Sequence, residues 1–377
     1  MMPNIKDKLD VMIPEHVIFS EHEKERIIKS AKERANSKRI LSKRFIMPSF
    51  VTVVLLLVIG FFITPFIQQA FFTSHLEPEK VLIPGVEIAY LNNAIYIDST
   101  NEFIYTDHQG IYSFNKQTEL RQTLVQPKEN AEIFDIAVNE KWLAWYDGTS
   151  HSLNILNRIS NGKTATTLPY VGDLSVTNDT LIFLFSENQG ITSYEKINLN
   201  TMEETTLHVL SGSEGAGSRA SVDNDKIVIP EAFQNQYGEY YVTYFVYDIY
   251  SNERLAKISV PYEQTINVTL TNNRIYAQLV NFDEPSVLGY VDLSDKQLYQ
   301  LDVPSFWDYA IYENYVALSL PNDESNSVKL FEIIGDEVMP LPTFDGIQGQ
   351  LVVPRFTEEG TLVVNRKGFT VYLVETK

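Results

Sequence analysis

The 377-residue sequence contains no cysteine, which excludes disulfide bonds, thiolate catalysis, cysteine-ligated zinc and iron–sulfur clusters. Basic residues are scarce, since 30 Lys and Arg stand against 49 Asp and Glu, for a formal net charge of −19. A chain this acidic is poorly suited to binding nucleic acid, whose phosphates it would repel. Histidine is also scarce, and no two of the histidines beyond residue 70 stand at metal-binding spacing. The sequence therefore predicts no metal site and no cofactor.

Catalytic motifs are missing as well. The sequence has no Gly-x-Ser-x-Gly nucleophile elbow, and the Gly-rich stretch 211–218 lacks the lysine of a phosphate-binding loop. We therefore predict that the protein is not an enzyme, with a hydrolase as the less favoured alternative.

Charged residues are absent between Arg44 and Glu77, and the centre of this gap, 47–67, is almost continuously apolar. About 20 apolar residues form a helix long enough to cross the roughly 30 Å hydrocarbon layer of a bilayer. We predict a transmembrane helix at 45–70, followed by a linker at 71–78. A buried core helix is a less favoured alternative, and the long basic segment before the apolar run disfavours a cleaved signal peptide.

Charge is divided unevenly around this apolar segment. Residues 1–44 hold 11 Lys and Arg and 7 Asp and Glu, which leaves 19 basic and 42 acidic residues in the rest of the chain. Because basic flanks stay on the cytoplasmic side, the sequence predicts a single-pass protein of the cell membrane. Its N-terminus would be cytoplasmic and its C-terminal domain extracytoplasmic.

The N-terminal segment, 1–44, carries helix signals. Ser20 and Glu23 match a capping box, and the residues that follow are good helix formers without Pro or Gly before the apolar run. Ile27, Ile28 and Ala31 lie on one helical stripe, so we expect a helical arm that binds a cytoplasmic partner through them. A solvated helix with a basic end is the alternative that the same pattern allows.

A short cytoplasmic helical arm, one membrane span and a large outer domain resemble the layout of bacterial membrane-anchored anti-sigma factors. The segment 19–27, Phe-Ser-Glu-His-Glu-Lys-Glu-Arg-Ile, is also similar to the N-terminal arms of some of these regulators. The resemblance implies a sigma factor as the cytoplasmic partner. The Cys-containing zinc motif of one large anti-sigma family is not in this sequence, so the resemblance implies no metal site.

Beyond the linker, the sequence repeats a polar turn followed by an apolar strand. This unit occurs seven times, at intervals of 39–48 residues. The apolar strands begin at Phe103, Trp142, Leu181, Ile227, Ile275, Val316 and Leu362. A second set of alternating strands and turns repeats at a similar period, for example at 112–120 and 290–298. Four short strands per unit of about 40–45 residues are typical of a β-propeller.

We therefore predict a mainly β chain with a seven-bladed β-propeller at 79–377. The last repeat stops after its third strand, and part of 79–91 is predicted to complete that blade and close the ring. These repeats resemble the broad WD40-like, quinoprotein-like and TolB-like propeller superfamily, without a motif that would carry over a functional residue. An open β-sandwich is the alternative fold.

The loops after the seven recurring strands are predicted to lie together on one face of the ring. The candidate ligand-binding residues in and beside them are Asp107, Asp147, Glu187, Glu231, Tyr237, Tyr240, Tyr241, Asp283 and Asp323, with Glu284 and Glu324 as neighbours. Acidic loops with aromatic residues suit a cationic peptide, a glycan or a cation, and a purely solubilising role is the alternative. The three tryptophans, Trp142, Trp145 and Trp307, are predicted to pack between blades.

Together these features predict a membrane-anchored extracytoplasmic propeller that acts as a sensor or regulatory binding protein. Its expected partners are the lipid bilayer, a cytoplasmic protein such as a sigma factor, and an extracytoplasmic protein, peptide or glycan. The alternative is a non-signalling scaffold or assembly module of the cell envelope that the arm only anchors.

Overall fold

The computed structural model describes residues 76–377 apart from 188–189, 212–217, 283, 322–326, 336 and 367–369, together with Glu25, Arg26 and Lys29. Glu25, Arg26 and Lys29 are helical and exposed. The chain divides into two compact units, Met1–Ser74 and His75–Lys377. The predicted transmembrane helix and the arm residues Ile27, Ile28 and Ala31 lie outside the described residues. Among the residues that are described, no helix is both long enough and apolar enough to cross a membrane.

The second unit folds into seven four-stranded antiparallel sheets in the described part of the chain, as expected for the blades of a propeller. Blade 1 contains β2 (Ile95–Ile97), β3 (Glu102–Thr106), β4 (Ile111–Asn115) and β5 (Leu120–Val125). Blade 2 contains β6 (Ile133–Val138), β7 (Trp142–Asp147), β8 (Ser152–Asn157) and β9 (Lys163–Thr167). Blade 3 contains β10 (Val171–Thr177), β11 (Thr180–Ser186), β12 (Thr192–Asn198) and β13 (Glu203–Val209).

The remaining blades follow the same order along the chain. Blade 4 contains β14 (Ser221–Asp223), β15 (Lys226–Gln234), β16 (Tyr240–Asp248) and β17 (Arg254–Val260). Blade 5 contains β18 (Gln264–Thr271), β19 (Arg274–Val280), β20 (Val287–Asp292) and β21 (Leu298–Gln300). Blade 6 contains β22 (Asp308–Tyr312), β23 (Tyr315–Leu320), β24 (Ser327–Ile334) and β25 (Glu337–Leu341). Blade 7 contains β26 (Leu351–Phe356), β27 (Thr361–Arg366) and β28 (Thr370–Glu375), and its fourth strand is β1 (Glu79–Leu82).

The prediction of a mainly β, seven-bladed propeller is confirmed. The seven recurring apolar strands are the second strands of the blades, which are covered on both sides by neighbouring blades and are therefore apolar on both faces. All six residues of β7 are buried, whereas all five residues of the outermost strand β9 are exposed. The polar turns before the second strands use Asn101, Asn178 and Asn224 with φ between 48° and 56°, a left-handed conformation that asparagine tolerates well.

The hydrophobic core is divided into seven clusters, and each cluster lies between two neighbouring blades. Ile104 and Leu143, for example, pack between blades 1 and 2. Phe103 and Leu373 pack in the same way between blades 1 and 7. Among the described residues, every blade therefore shares its core with both of its neighbours.

The ring closes through the strand that precedes blade 1. β1 pairs antiparallel with β28, in a register that runs from Glu79 opposite Leu373 to Leu82 opposite Thr370. The rest of the range 79–91 is not strand, and Ile88–Leu91 forms a short helix.

Side chains of blade 7 bind the backbone around this short helix. The Arg355 guanidinium donates from Nε to the Ala94 carbonyl at 2.9 Å and from Nη2 to the Leu91 carbonyl at 3.0 Å. The buried Asn365 amide donates to the same Leu91 carbonyl at 3.0 Å and to Asn92 Oδ1 at 2.9 Å. Blades 7 and 1 are thus joined by strand pairing, by a shared core and by these hydrogen bonds.

The first strands of the blades surround a central channel, whose two ends lie on opposite sides of the ring. One side, which we call the turn face, is formed by the hairpin turns between first and second strands. The other side, the loop face, is formed by the loops between second and third strands and by the connections between blades. The predicted ligand-binding residues that the structure describes lie on the loop-face side of their blades.

Candidate functional site

Asp107 closes its own loop on the loop face. One carboxylate oxygen accepts the backbone N–H groups of Gln109 at 3.1 Å and Gly110 at 2.8 Å, and the other accepts the Tyr112 hydroxyl at 2.8 Å. Burial of the Tyr112 side chain and its bond to Asp107 raise the pKa of Tyr112 to about 12, so this hydroxyl remains a donor at neutral pH. Both oxygens of Asp107 are therefore engaged in holding the β3–β4 loop.

Asp147 has the same role in blade 2. It is buried, and it accepts the Thr149 backbone N–H at 3.0 Å and the Ser150 hydroxyl at 2.7 Å. Burial opposes its ionisation, but these bonds and a backbone N–H from Glu132 outweigh burial and lower the pKa of Asp147. Its charge serves the fold of the β7–β8 loop.

Glu231 lies inside the protein, in β15, with no exposed surface. It accepts His208 Nε2 of β13 at 2.5 Å and the Ser211 backbone N–H at 2.7 Å. The other ring nitrogen of His208 forms a 2.8 Å hydrogen bond with the Tyr247 hydroxyl. Because β13 belongs to blade 3 and β15 to blade 4, this buried network joins two blades and is closed to a large ligand.

Two other candidate acids are near the surface of the loop face. Glu187 is exposed, and its backbone N–H donates to the Ile191 carbonyl at 2.9 Å. The Glu284 carboxylate accepts the Asn281 side-chain amide at 3.1 Å. The candidates Asp283 and Asp323, and the neighbouring Glu324, lie outside the described residues.

The three candidate tyrosines lie in or beside the β15–β16 hairpin loop. Tyr237 is 79% exposed at the tip of this loop. Tyr240 and Tyr241 begin β16 and are half-buried, and the Tyr241 ring stacks on Phe233 with centroids 5.5 Å apart. Of the three, Tyr237 presents its ring to a partner most fully.

Tyr237 is one of several aromatic side chains exposed on the loop face. Six aromatic residues of the described part are more than half exposed, and five of them lie on this face: Phe134, Tyr170, Tyr237, Phe282 and Trp307. They come from blade 2, the connections before β10 and β22, and loops of blades 4 and 5. Ile191, also more than half exposed, lies on the same face in blade 3. The sixth aromatic residue, Tyr250, lies on the turn face.

Sequence reasoning missed four of these five aromatic residues. Tyr170 and Trp307 lie in connections between blades and Phe134 lies in a first strand, outside the loops after the second strands, whereas Phe282 lies in such a loop. Trp142 and Trp145 are buried between blades, as predicted, but Trp307 is 67% exposed and that prediction was wrong. The physical reason is local: consecutive side chains near a strand point to opposite sides, and Phe306 takes the buried position.

On the loop face the channel ends in a cavity of about 400 Å³. Phe134, Asp135, Arg219 and Arg355 contribute to its lining. The Arg219 guanidinium lies 3.6 Å from Asp135, and its side chain is 71% exposed. Two arginines and a single acidic residue line this cavity, in contrast to the acidic composition of the chain.

The turn face has the opposite charge. Two cavities of about 600 and 520 Å³ open there, with acidic linings that include Asp98, Asp223 and Glu358. Burial and then the carboxylates of Glu359 and Asp223 raise the pKa of Glu358. Glu358 belongs to blade 7 and Asp223 to blade 4, so the first hairpin of blade 7 extends across the channel. Within the described ranges, no group of three or more His, Asp or Glu side chains is arranged to hold a metal ion.

Solved structures similar to this chain share its fold at low sequence identity. One is a chain of the mitotic checkpoint complex, with 10% identity, a TM-score of 0.56, and coverage of 80% of this chain and 95% of that chain. Another is the computationally designed Ika8 protein, with 13% identity, a TM-score of 0.52, and coverage of 75% and 82%. A third comes from an analysis of two prolyl endopeptidases, with 13% identity and a TM-score of 0.52, and the match spans 74% of this chain but 48% of that one.

These similarities concern the fold alone, which the seven sheets of this chain define as a seven-bladed β-propeller, and they show nothing about activity. No protein-family model matches the sequence, and no curated protein matches it.

Proposed function

We propose that the loop face is the binding surface of this protein and that its partner is a protein or peptide. The observation that carries the proposal is the concentration of exposed aromatic side chains on one face, which holds five of the six that are more than half exposed in the described part of the chain. Single exposed apolar residues are normal on a protein surface, but a set gathered on one face marks an interaction site. Aromatic residues contribute large contact areas and are enriched where proteins bind each other.

The loop face is also held in shape for binding. Asp107 and Asp147 fix their loops through bonds within each loop, and the Glu231 network joins blades 3 and 4 below the face. A partner therefore meets loops whose conformation is already set, which lowers the entropy cost of association. In this proposal the acids support the surface, and the aromatic residues contact the partner.

Photo-crosslinking from two matched tyrosine positions tests this proposal. A photoreactive phenylalanine analogue replaces Tyr237 on the loop face or Tyr250 on the turn face, in the full chain expressed in its native cells. We expect a discrete crosslinked partner from position 237 and none from position 250, because both side chains are exposed but only the first lies on the proposed surface. The readout is a shifted band identified by mass spectrometry.

A second pair of positions makes the result decisive. The same analogue at Phe282 should capture the partner found from Tyr237, whereas at Tyr299, on the outermost strand of blade 5, it should not. Equal capture from both faces, or no partner from either loop-face position, would show that the loop face is not the binding surface.

We further propose that the chain is anchored in the cell membrane by the apolar segment 45–70, with the propeller outside and the arm in the cytoplasm. The support is the uncharged apolar run and the excess of basic residues before it. In the signalling version, the arm binds a cytoplasmic regulator such as a sigma factor through Ile27, Ile28 and Ala31. In the alternative version, the arm only anchors an envelope scaffold.

Replacing the arm distinguishes these versions. Residues 1–40 are exchanged for an unrelated basic helix, which leaves the apolar run and its basic flank in place. Both chains should stay with the membrane after alkaline extraction, and protease added outside should reach the propeller. Signalling predicts that a cytoplasmic partner copurifies with the native arm and is lost from the exchanged chain and from an I27D/I28D variant. Recovery of the same proteins with either arm would support the scaffold, and release of the native chain by alkali would refute the anchor.

A further inference from the structure

The cavity at the loop-face end of the channel has an unusual charge. Its lining is Asn92, Asn93, Ala94, Ile95, Tyr96, Thr106, Phe134, Asp135, Ile136, Leu174, Arg219, Arg355, Phe356, Thr357 and Val363. This set contains two arginines, Arg219 and Arg355, and one acidic residue, Asp135. The chain beyond residue 44 holds 19 basic and 42 acidic residues in all, so the excess of positive charge in this lining stands against the general composition.

Arg355 is a charged residue whose hydrogen bonds are all to neutral oxygens among the described residues. Four of its five N–H groups are donated to neutral oxygens, namely the carbonyls of Leu91, Ala94 and Val353 and the side-chain oxygen of Asn365. The remaining N–H, on Nη1, has no partner among the described residues. Burial lowers the pKa of Arg355 to about 10, and the group still carries its charge at neutral pH.

The positive charge of Arg355 therefore has no carboxylate beside it. Charged groups withdrawn from water are normally paired, because an unpaired charge in a protein interior is costly. No described acidic side chain forms an ion pair with Arg355, and the backbone carbonyls supply hydrogen bonds without neutralising it. A bound anion would supply the missing charge and an acceptor for the remaining N–H.

Arg219 lines the same cavity and offers a second guanidinium group to an anion bound there. Its 3.6 Å contact with Asp135 is long for an ion pair, and the side chain is mostly exposed, so the contact holds it weakly. The Asp135 carboxylate, in β6 of blade 2, also accepts the Leu174 backbone N–H of β10 in blade 3 at 3.0 Å, so it has a second partner besides Arg219. Arg219 can therefore turn towards an anion in the cavity at small cost.

Phe134 and Phe356 add apolar surface to the same cavity. The Phe134 ring is 62% exposed, and it belongs to the aromatic set of the loop face. A volume of about 400 Å³ falls within the usual range for small ligand sites, which is about 300–1,000 Å³. The cavity thus suits a carboxylate next to an apolar or aromatic group, the combination found in a peptide with an acidic and an aromatic residue.

We propose that this cavity binds a carboxylate group of a peptide segment from the loop-face partner, held by Arg355 and Arg219. The proposal rests on the proposed function, since it names the chemistry that the partner inserts at the centre of the loop face. A free small carboxylate shares this chemistry and is distinguished in the test below.

N-acetylphenylalanine and its amide are the first probes. They share the aromatic ring and differ in the carboxylate. With the full chain purified in detergent, we expect saturation-transfer NMR to report binding of the acid, and binding of the amide at least about tenfold weaker, as for the loss of one charge-assisted hydrogen bond. The absence of binding of the acid at about 10 mM, or equal binding of acid and amide, overturns the proposal.

Two charge-matched variants locate the site. R219Q removes one positive charge at the cavity, and R121Q removes one from β5, the outermost strand of blade 1. We expect R219Q to weaken binding of the acid at least about fivefold and R121Q to leave it unchanged. R355K, which keeps the charge but not the fork of donors, should also weaken it, with thermal unfolding of R355K measured alongside. Equal effects of R219Q and R121Q would place the carboxylate elsewhere and overturn the proposal.

Two further probes separate the sources of the carboxylate. A peptide amide with internal Asp and Phe should compete with N-acetylphenylalanine, whereas a preference for the free amino-acid derivative alone would overturn the peptide assignment. The crosslink from position 237 is then repeated in the R219Q chain. If the R219Q chain still captures the partner although it no longer binds the acid, the loop face remains the binding surface. The partner then does not insert a carboxylate into the cavity, and the carboxylate proposal is overturned. If position 237 captures no partner even in the chain that retains Arg219, the result refutes the proposed function and not the carboxylate site.

Discussion

Replacing Val81 with aspartate should lower the free energy of unfolding by about 4 kcal/mol, because it places a carboxylate in the core between blades 7 and 1. Val81 is the buried residue of β1, 7% exposed, and it packs in the same cluster as Ile83, Phe103 and Leu373. The four-residue strand is the fourth strand of blade 7, so its loss leaves β28 with an open edge. We expect the melting temperature of the full chain to fall by about 10 °C, measured by near-ultraviolet circular dichroism.

The adjacent residue provides a matched control. Leu82 lies in the same strand and pairs with Thr370, but its side chain is 56% exposed. Leu82→Asp should change stability by less than about 0.5 kcal/mol, as is usual for an exposed position. If the two aspartate variants melt alike, β1 does not hold the ring closed in solution.

Replacing Glu231 with alanine should lower the free energy of unfolding by about 3 kcal/mol. The substitution removes the acceptor of His208 Nε2 and of the Ser211 backbone N–H, and it leaves both groups unpaired between blades 3 and 4. Glu231→Gln keeps one acceptor and should cost less than the alanine variant. The measurement is urea unfolding of the full chain, followed by tyrosine and tryptophan fluorescence.

Glu239 is the control for this series. It is an exposed glutamate in the loop that follows β15, and its carboxylate accepts the side-chain amide of Asn235 at 2.9 Å. Glu239→Ala should change stability by less than about 0.5 kcal/mol. A Glu231→Ala variant as stable as Glu239→Ala would mean that the buried network does not join the blades, and Glu231 would return as a candidate for ligand binding.

The period of the repeats was sufficient to predict the fold. Strands such as Trp142–Asp147 are apolar on both faces because two blades cover them, and polar turns recur before each of them. The number of blades and the identity of the second strands follow from these two patterns. The closing strand is harder to define, because Glu79–Leu82 has only four residues, of which Val81 alone is buried, and Ile88–Leu91 forms a short helix instead.

The candidate site was predictable in position and not in chemistry. Acidic residues in loops look alike in a sequence, but Asp107 binds its own loop while Glu231 binds a histidine of the next blade. The distinction depends on contacts between residues far apart in the chain. The exposure of Trp307 depends in turn on which of two adjacent aromatic side chains enters the core. Arg355 is recognisable as an unpaired charge only when its neighbours are known.

The pairing of β1 with β28 also sets the order of events when the chain is synthesised. The paired residues Leu82 and Thr370 are 288 positions apart, so β1 leaves the ribosome long before its partner strand exists. At about 5–20 residues per second, that interval is roughly 15–60 s. During this time blades 1 to 6 can form one after another from local hairpins, while the apolar side of β1 has no sheet to join. Closure of the ring is therefore the last step of assembly. A nascent chain halted before Thr370 would leave β1 unpaired, and this strand could then pair with a strand of another molecule.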